Sequence, residues 1–343
     1  MRKLLNTLYV LQPDSYLSLN GDNVVLTRGK EEIARVPLHN LESIVIFGYA
    51  GASPALMGYC AERNISLVFM TKNGRFLARV IGESKGNVVL RKRQYLLSED
   101  LEQSALIARN FITGKIYNQK WIIERYTRDH PLRIDVPRFK EISGQLSDIL
   151  REVRTCDNLE KLRGLEGKAA NNYFRLFNDM ILQQKGVFDF SERNRRPPTD
   201  EVNALLSFAY SLLASDVAAA LEGVGLDAYV GFLHRDRPGR PSLALDLMEE
   251  LRNVLADKFV LSLINKGIIS KNDFLRKENG AVLLNEDARK KFLSFWQTRK
   301  QEPITHPYLG EKINWGLVPH AQSLLLARHL RGDLDEYPPF MWK

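Results

Sequence analysis

The chain has 343 residues, a formal net charge of +8 and a sequence pI near 9.3. That length suits about two domains with an extensive core, and the basic balance fits a polyanionic partner without establishing one. Two cysteines, Cys60 and Cys156, exclude a disulfide framework or a cysteine-rich zinc module and make a reducing cytosol the default. Residues 1–12 alternate apolar and polar positions with no cleavage site, and the longest nearly apolar run, 204–215, stops at Asp216. That is short of the roughly 20 residues a spanning helix needs. A soluble cytosolic protein without a membrane association is expected.

Short strands are expected first, at 7–11, 16–19, 24–27, 33–36, 43–47, 67–70, 76–81 and 88–90. Turn residues separate them, among them Pro13-Asp14, Asn20-Gly21-Asp22, Gly29-Lys30 and Asn73-Gly74; Asn-Gly between two short strands is a strong hairpin signal. One amphipathic helix interrupts at 54–63, where Cys60 reads as a small core residue. Beyond residue 100 the period becomes helical, with segments near 101–128, 138–154, 158–185, 200–222, 242–266, 283–299 and 316–331. The fold class is therefore α+β: a β-rich domain over 1–92, a linker at 93–102, and a larger all-α domain over 103–343.

Chemistry concentrates in 231–252, GFLHRDRPGRPSLALDLMEELR. His234 ends an apolar turn, a Pro/Gly/Arg loop follows, and Ser242 is placed to cap a helix on which Asp246 and Glu249, three apart, share a face. One imidazole and two carboxylates make a mixed N/O set suited to manganese or magnesium rather than a structural zinc. Both carboxylates could bind metal, or Asp246 could orient His234 while Glu249 binds. Glu166 lies in LRGLEGKAA between Gly164 and Gly167, where small neighbours let another chain come close. A lone helical glutamate is most often solvated, so Glu166 needs further ligands elsewhere to gain a role. Arg193, Arg195 and Arg196 crowd a loop stiffened by Pro197-Pro198, an arrangement that suits phosphate contacts as well as it suits solvent. Weaker signals are Gly114-Lys115 with Asn118-Gln119, and a C-terminal Tyr337-Pro338-Pro339-Phe340 that more often packs than binds. The other histidines, 39, 130, 306, 320 and 329, lack ligand-like partners, and no Walker loop, dinucleotide fingerprint or nucleophile elbow is present.

Taken together, GLEGKAA, FSERNRRPPTDEVNALLSFAYSLL and GFLHRDRPGRPSLALDLMEELR resemble the CRISPR-associated adaptation endonuclease/integrase family, most closely its subtype I-C branch. The looser N-terminal signs are NTLYV, RVPLHNLESIVIFG and GNVVLRKRQY. The resemblance implies that Glu166, His234 and Glu249 are the metal ligands and catalytic residues, holding Mn²⁺ or Mg²⁺, with Asp246 an auxiliary acid one turn before Glu249. It implies insertion of captured foreign DNA into a CRISPR array, the fragment's 3′-hydroxyl attacking a phosphodiester at a repeat border. Nicking of branched DNA would use the same site. It implies too a homodimer formed through the β-rich domain, two such dimers clamping a small ferredoxin-like partner dimer in a hetero-hexamer. Arg193, Arg195, Arg196, Arg240, Arg252 and Lys168 are the DNA-contact candidates, on double-stranded or branched DNA. Two rivals stay open. A metal-dependent hydrolase of small phosphorylated or amide substrates has no use for three clustered arginines, and a non-catalytic DNA-binding scaffold has no use for an intact ligand set.

Overall fold

A computed structural model describes residues 6–83, 87–195 and 197–343 and divides the chain into two units, Met1–Gly86 with Arg289–Gln301, and Asn87–Ala288 with Glu302–Lys343. In chain order the first holds β1 (Asn6–Val10), β2 (Ser15–Asn20), β3 (Asn23–Arg28), β4 (Glu31–Pro37), β5 (Leu41–Phe47), β6 (Gly51–Ala52), α1 (Pro54–Glu62), β7 (Ser66–Met70) and β8 (Phe76–Val80). Two four-stranded sheets result, ordered β1-β5-β7-β8 and β4-β3-β2-β6. β1, β5 and β7 run parallel and β8 closes that sheet antiparallel. The β2–β3 hairpin pairs Asn20 with Asn23 around Gly21, whose φ of 58° suits the primed two-residue turn that Asn-Gly-Asp foretells. Ser53 caps α1 by accepting from the Leu56 amide at 3.2 Å. Val10, Leu17, Ile44, Leu56 and Leu67 form the core with Cys60, whose thiol is pushed up to about 11 by burial.

The second unit is built from α2 (Val88–Glu99), α3 (Leu101–Asp129), α4 (Val136–Arg154), α5 (Leu159–Phe174), α6 (Glu201–Gly223), α7 (Ser242–Leu251), a π-helical turn at Arg252–Asp257 and α8 (Lys258–Asn265). A hairpin of β9 (Phe274–Arg276) and β10 (Val282–Leu284), then α9 (Glu286–Gln301), a second hairpin of β11 (Pro303–Thr305) and β12 (Lys312–Asn314), and α10 (Val318–Arg331) complete it. From Arg289 onward α9 belongs to the first unit, where Lys300 lies 3.5 Å from the Thr7 hydroxyl and 3.7 Å from Glu42. The fold is thus a β-rich N-terminal region followed by a mostly helical one.

Four local expectations need correction. Residues 88–90 are the first turn of α2, not a strand, and α2 and α3 run through 93–102 where a linker was expected. Val88 and Val89 read as strand by β-branching, but the burial of Leu90 and Gln94, four apart, sets the helix. Gln94 donates to the carbonyls of Asp227 and Val230, both at 2.8 Å, and accepts from the Asp227 amide. The 158–185 helix stops at Phe174, because Leu176, Phe177, Met180 and Ile181 stay buried through tight turns and so preserve an apolar rhythm without a helix. The 242–266 helix is broken by the π turn, and Ser242 is its first residue rather than its cap. Finally, α6 is long and apolar enough by length and composition to cross a membrane, contrary to the reading of its shorter run. Its apolarity has a packing cause: Val202, Leu205, Leu206, Ala209, Leu212, Leu213 and Leu221 are all buried in the unit, as expected of a helix apolar all round.

Candidate active site

Three helices and one loop of the helical unit deliver the polar cluster. Gly114 lets α3 approach α7 closely, since a Cβ there would stand 2.9 Å from the Cβ of Glu250 and 3.2 Å from that of Pro339. The next residue, Lys115, has a side chain only 3% exposed. Its ammonium pairs with Glu166 of α5 and, at 2.5 Å, with Oε2 of Glu249 on α7. Arg252 takes the other oxygen of Glu249 at 2.7 Å. Burial alone would raise the Glu249 carboxyl, but the neighbouring charges of Arg252, Lys115 and His234 outweigh it and hold the group at about 2. Glu249 is therefore ionised throughout the physiological range. Glu166 stands on the wetter side, 27% exposed, and Gly164 and Gly167 beside it face open space.

His234 arrives on the loop before α7, and Asp246 is what holds it. The Asp246 carboxylate has no exposure and accepts from the amides of Phe232 at 2.6 Å, Leu233 at 2.9 Å and His234 at 3.0 Å, while the His234 Nδ1 lies 2.6 Å away. Gly231 makes that approach feasible, since a Cβ there would stand 2.7 Å from an Asp246 oxygen. From the outside, Arg163 donates through Nε to the Leu233 carbonyl at 2.7 Å. With Nδ1 engaged by a carboxylate, the ring presents Nε2 as its free nitrogen, the tautomer and orientation typical of an imidazole ligand.

Behind this cluster lies a second polar layer. Glu250, the residue after Glu249, is fully buried and accepts from Tyr337, from Gln322 at 2.8 Å and from the Phe340 amide at 2.8 Å. Burial pushes its carboxyl up to about 7 despite those bonds. Asn118 donates to the carbonyls of Glu250 and Phe340 at 2.7 and 2.8 Å and accepts from the Trp342 amide at 2.9 Å. The Tyr-Pro-Pro-Phe tail thus straps α3 and α7 together under Lys115 and Glu249. On the far side, Arg252 lies 4.9 Å over the Tyr210 ring, whose hydroxyl donates to Asp257. Asp257 is kept in place by Asn253 at 2.7 Å inside the π turn.

The structure therefore gathers Glu166 and Glu249 around one buried lysine, with Arg252 on the other oxygen of Glu249 and His234 near enough to bear on the Glu249 charge. Asp246 touches the imidazole and its loop instead. Among the described residues no three His, Cys, Asp or Glu side chains already converge as a metal cage. The donor set nonetheless fits a divalent ion: two carboxylates already share a cation, and Glu249 Oε2 meets that ammonium without hydrogen-bond geometry. The candidate DNA contacts scatter. Lys168 and Arg195 are exposed, whereas Arg240 turns toward Ser242 at 3.3 Å. Arg193 folds inward onto Asn203 at 2.6 Å and Ser207 at 3.1 Å, and burial lowers its pKa, so it stiffens its loop rather than reaching out. Arg196 lies outside the described residues. Sequence reading missed the roles of Lys115, Arg163 and Glu250. Only Gly114-Lys115 left a trace, as a weak signal beside Asn118-Gln119.

This fold is shared with solved proteins of known type. A casposase bound to integration product matches with a TM-score of 0.83 over 100% of this chain and 95% of that one, at 24% identity. A CAS1 protein from Thermotoga maritima matches with a TM-score of 0.81 over 95% and 97%, at 21% identity. What these two matches share with the chain is its fold. The family model for CRISPR associated protein Cas1 matches residues 8–298, and the CRISPR-associated endonuclease Cas1 1 of Chlorobaculum tepidum is 47% identical over the whole of both chains. The chain belongs to the Cas1 family of CRISPR-associated endonucleases.

Proposed function

We propose that this protein is a divalent-metal-dependent DNA endonuclease and strand-transfer integrase that inserts captured DNA fragments into a CRISPR array. The observation that supports it best is the convergence of Glu166 and Glu249, from separate helices, on one cation beside a His234 whose Nδ1 is already engaged. Glu166, Glu249 and Nε2 of His234 would hold Mn²⁺ or Mg²⁺. The bound ion supplies charge neutralisation and polarises a phosphoryl oxygen, which makes a polyanionic phosphodiester open to attack. The chain's own residues do the rest. Asp246 fixes the imidazole, Arg252 holds Glu249 in place, and Lys168 and Arg195 offer exposed positive charge to the DNA backbone. In the reaction a 3′-hydroxyl oxygen forms one P–O bond at a repeat border as another breaks. The number of phosphodiesters is conserved, so no external energy source is required.

The same reading includes duplex and branched DNA as substrates, a homodimer formed through the β-rich unit, and two such dimers clamping a small ferredoxin-like partner dimer. It places the protein in the prokaryotic cytosol and, on the wording of GLEGKAA, FSERNRRPPTDEVN and GFLHRDRPGRPSLALDLMEELR, in the subtype I-C branch. The test is strand transfer of a fragment carrying a 3′-hydroxyl into a repeat-bearing plasmid. Joined product is expected with Mn²⁺ or Mg²⁺ and none in excess chelator. Undiminished joining in chelator would overturn the metal reading.

A further inference from the structure

Lys115 is an unusual residue to find buried between two proposed metal ligands. Its stem comes from α3, packed close to α7 at Gly114, and its ammonium meets Glu166 and Glu249 together. With Arg252 on the second oxygen of Glu249, the two carboxylates are matched by two fixed positive charges. These four side chains thus balance with no metal bound. A divalent ion added to the same carboxylates leaves an excess of positive charge that the buried setting disfavours. One cation must yield. Arg252 is confined, with its guanidinium over the Tyr210 ring and its hold on Glu249 in place. Lys115 has a flexible four-carbon stem and a point charge rather than a planar fork. Its ammonium is shared between the two carboxylates, which is the position a divalent ion would take.

We propose that the Lys115 ammonium is a resident counter-cation. It holds Glu166 and Glu249 together while the site lacks metal and gives up that position when a divalent ion binds, so it sets the site's metal affinity. Resting on the metal reading above, this makes Lys115 a positioning residue that keeps two like charges from splaying α5 and α7 apart.

The experiment measures Mn²⁺ binding through loss of the free-ion electron paramagnetic resonance signal. It uses the full-length protein and the variants Lys115→Met, Lys115→Gln, Lys115→Arg and Glu166→Gln, each also melted in chelator and in Mn²⁺. The neutral Met and Gln variants should bind Mn²⁺ about tenfold or more tightly than wild type, since a unit positive charge next to the ion has been removed. Lys115→Arg, a cation that keeps the charge but withdraws less readily, should bind no more tightly than wild type, and Glu166→Gln more weakly. In chelator the neutral variants should melt below wild type, and Mn²⁺ should close that gap. Affinity unchanged or weakened in both neutral variants, with wild-type binding intact, would overturn the proposal while leaving the metal reading standing. A neutral variant that cannot fold even with Mn²⁺ present also refutes it, because the ion is held to replace the ammonium. Absence of Mn²⁺ binding in wild type and neutral variants alike would remove the metal reading itself, and the proposal with it.

Discussion

Replacing Glu166 by Ala should remove strand transfer by about a thousandfold or more, as loss of a principal electrostatic group at a phosphoryl or acyl site does, while duplex affinity stays within a few-fold of wild type. The two effects separate because they have different sources. Affinity for DNA comes from many Lys/Arg–phosphate contacts, each contributing about 0.9 to the slope of log affinity against log salt. Glu166 adds nothing to that sum, being a carboxylate. Glu166 is partly exposed, and its partner Lys115 keeps Glu249 when Glu166 is removed, so little of the fold depends on it. The check is a pair of measurements on one preparation: strand-transfer rate with Mn²⁺, and a salt titration of duplex binding. Parallel collapse of binding and chemistry would show that Glu166 is structural.

Asp246→Asn should cost more in stability than any ligand substitution. Its carboxylate, itself without solvent exposure, accepts three backbone amides and faces the imidazole. An asparagine keeps one acceptor oxygen but turns an NH₂ toward donors, which breaks charge-assisted bonds and leaves amides unsatisfied. The loss should be about 3–5 kcal/mol, the range for disrupting a buried charged network, or on the order of 10 °C in melting temperature for a domain of this size. Strand transfer should fall by about 100-fold or more, the upper end for a residue that orients a ligand. Raised Mn²⁺ should recover only part of it, because the loop as well as the imidazole has come loose. A wild-type melting temperature with full recovery in Mn²⁺ would mean that Asp246 merely tunes the histidine.

These two residues also show how much the sequence disclosed. Helical spacing put Asp246 and Glu249 on one face but could not say which binds and which supports, because the answer lies in the loop. Gly231 permits the backbone to wrap the Asp246 carboxylate, and that wrapping is a tertiary event with no local period. Strands β1–β5, β7 and β8, the Asn20-Gly21 hairpin and most helices were legible because each carries its own rhythm and turn chemistry. The β9–β10 and β11–β12 hairpins, of three-residue strands, are too short to show a period and correct the expectation of an all-α second domain. What was not legible depended on partners distant in sequence. Residues 88–90 became helix through Leu90 and Gln94, the return of Arg289–Gln301 to the β-rich unit left no local mark, and Glu250 is buried against α3, Gln322 and the C-terminal tail together. Arg193 illustrates the limit of reading charge alone, since a guanidinium in a basic loop turned inward to Asn203 and Ser207.

The most direct test of the central claim is to locate the ion itself by anomalous scattering from a crystal of the protein soaked in Mn²⁺. The account predicts one principal manganese peak bounded by the carboxylates of Glu166 and Glu249 and Nε2 of His234, with Asp246 still on the Nδ1 side of the ring. A peak elsewhere, or none at saturating Mn²⁺ while strand transfer persists, would contradict it.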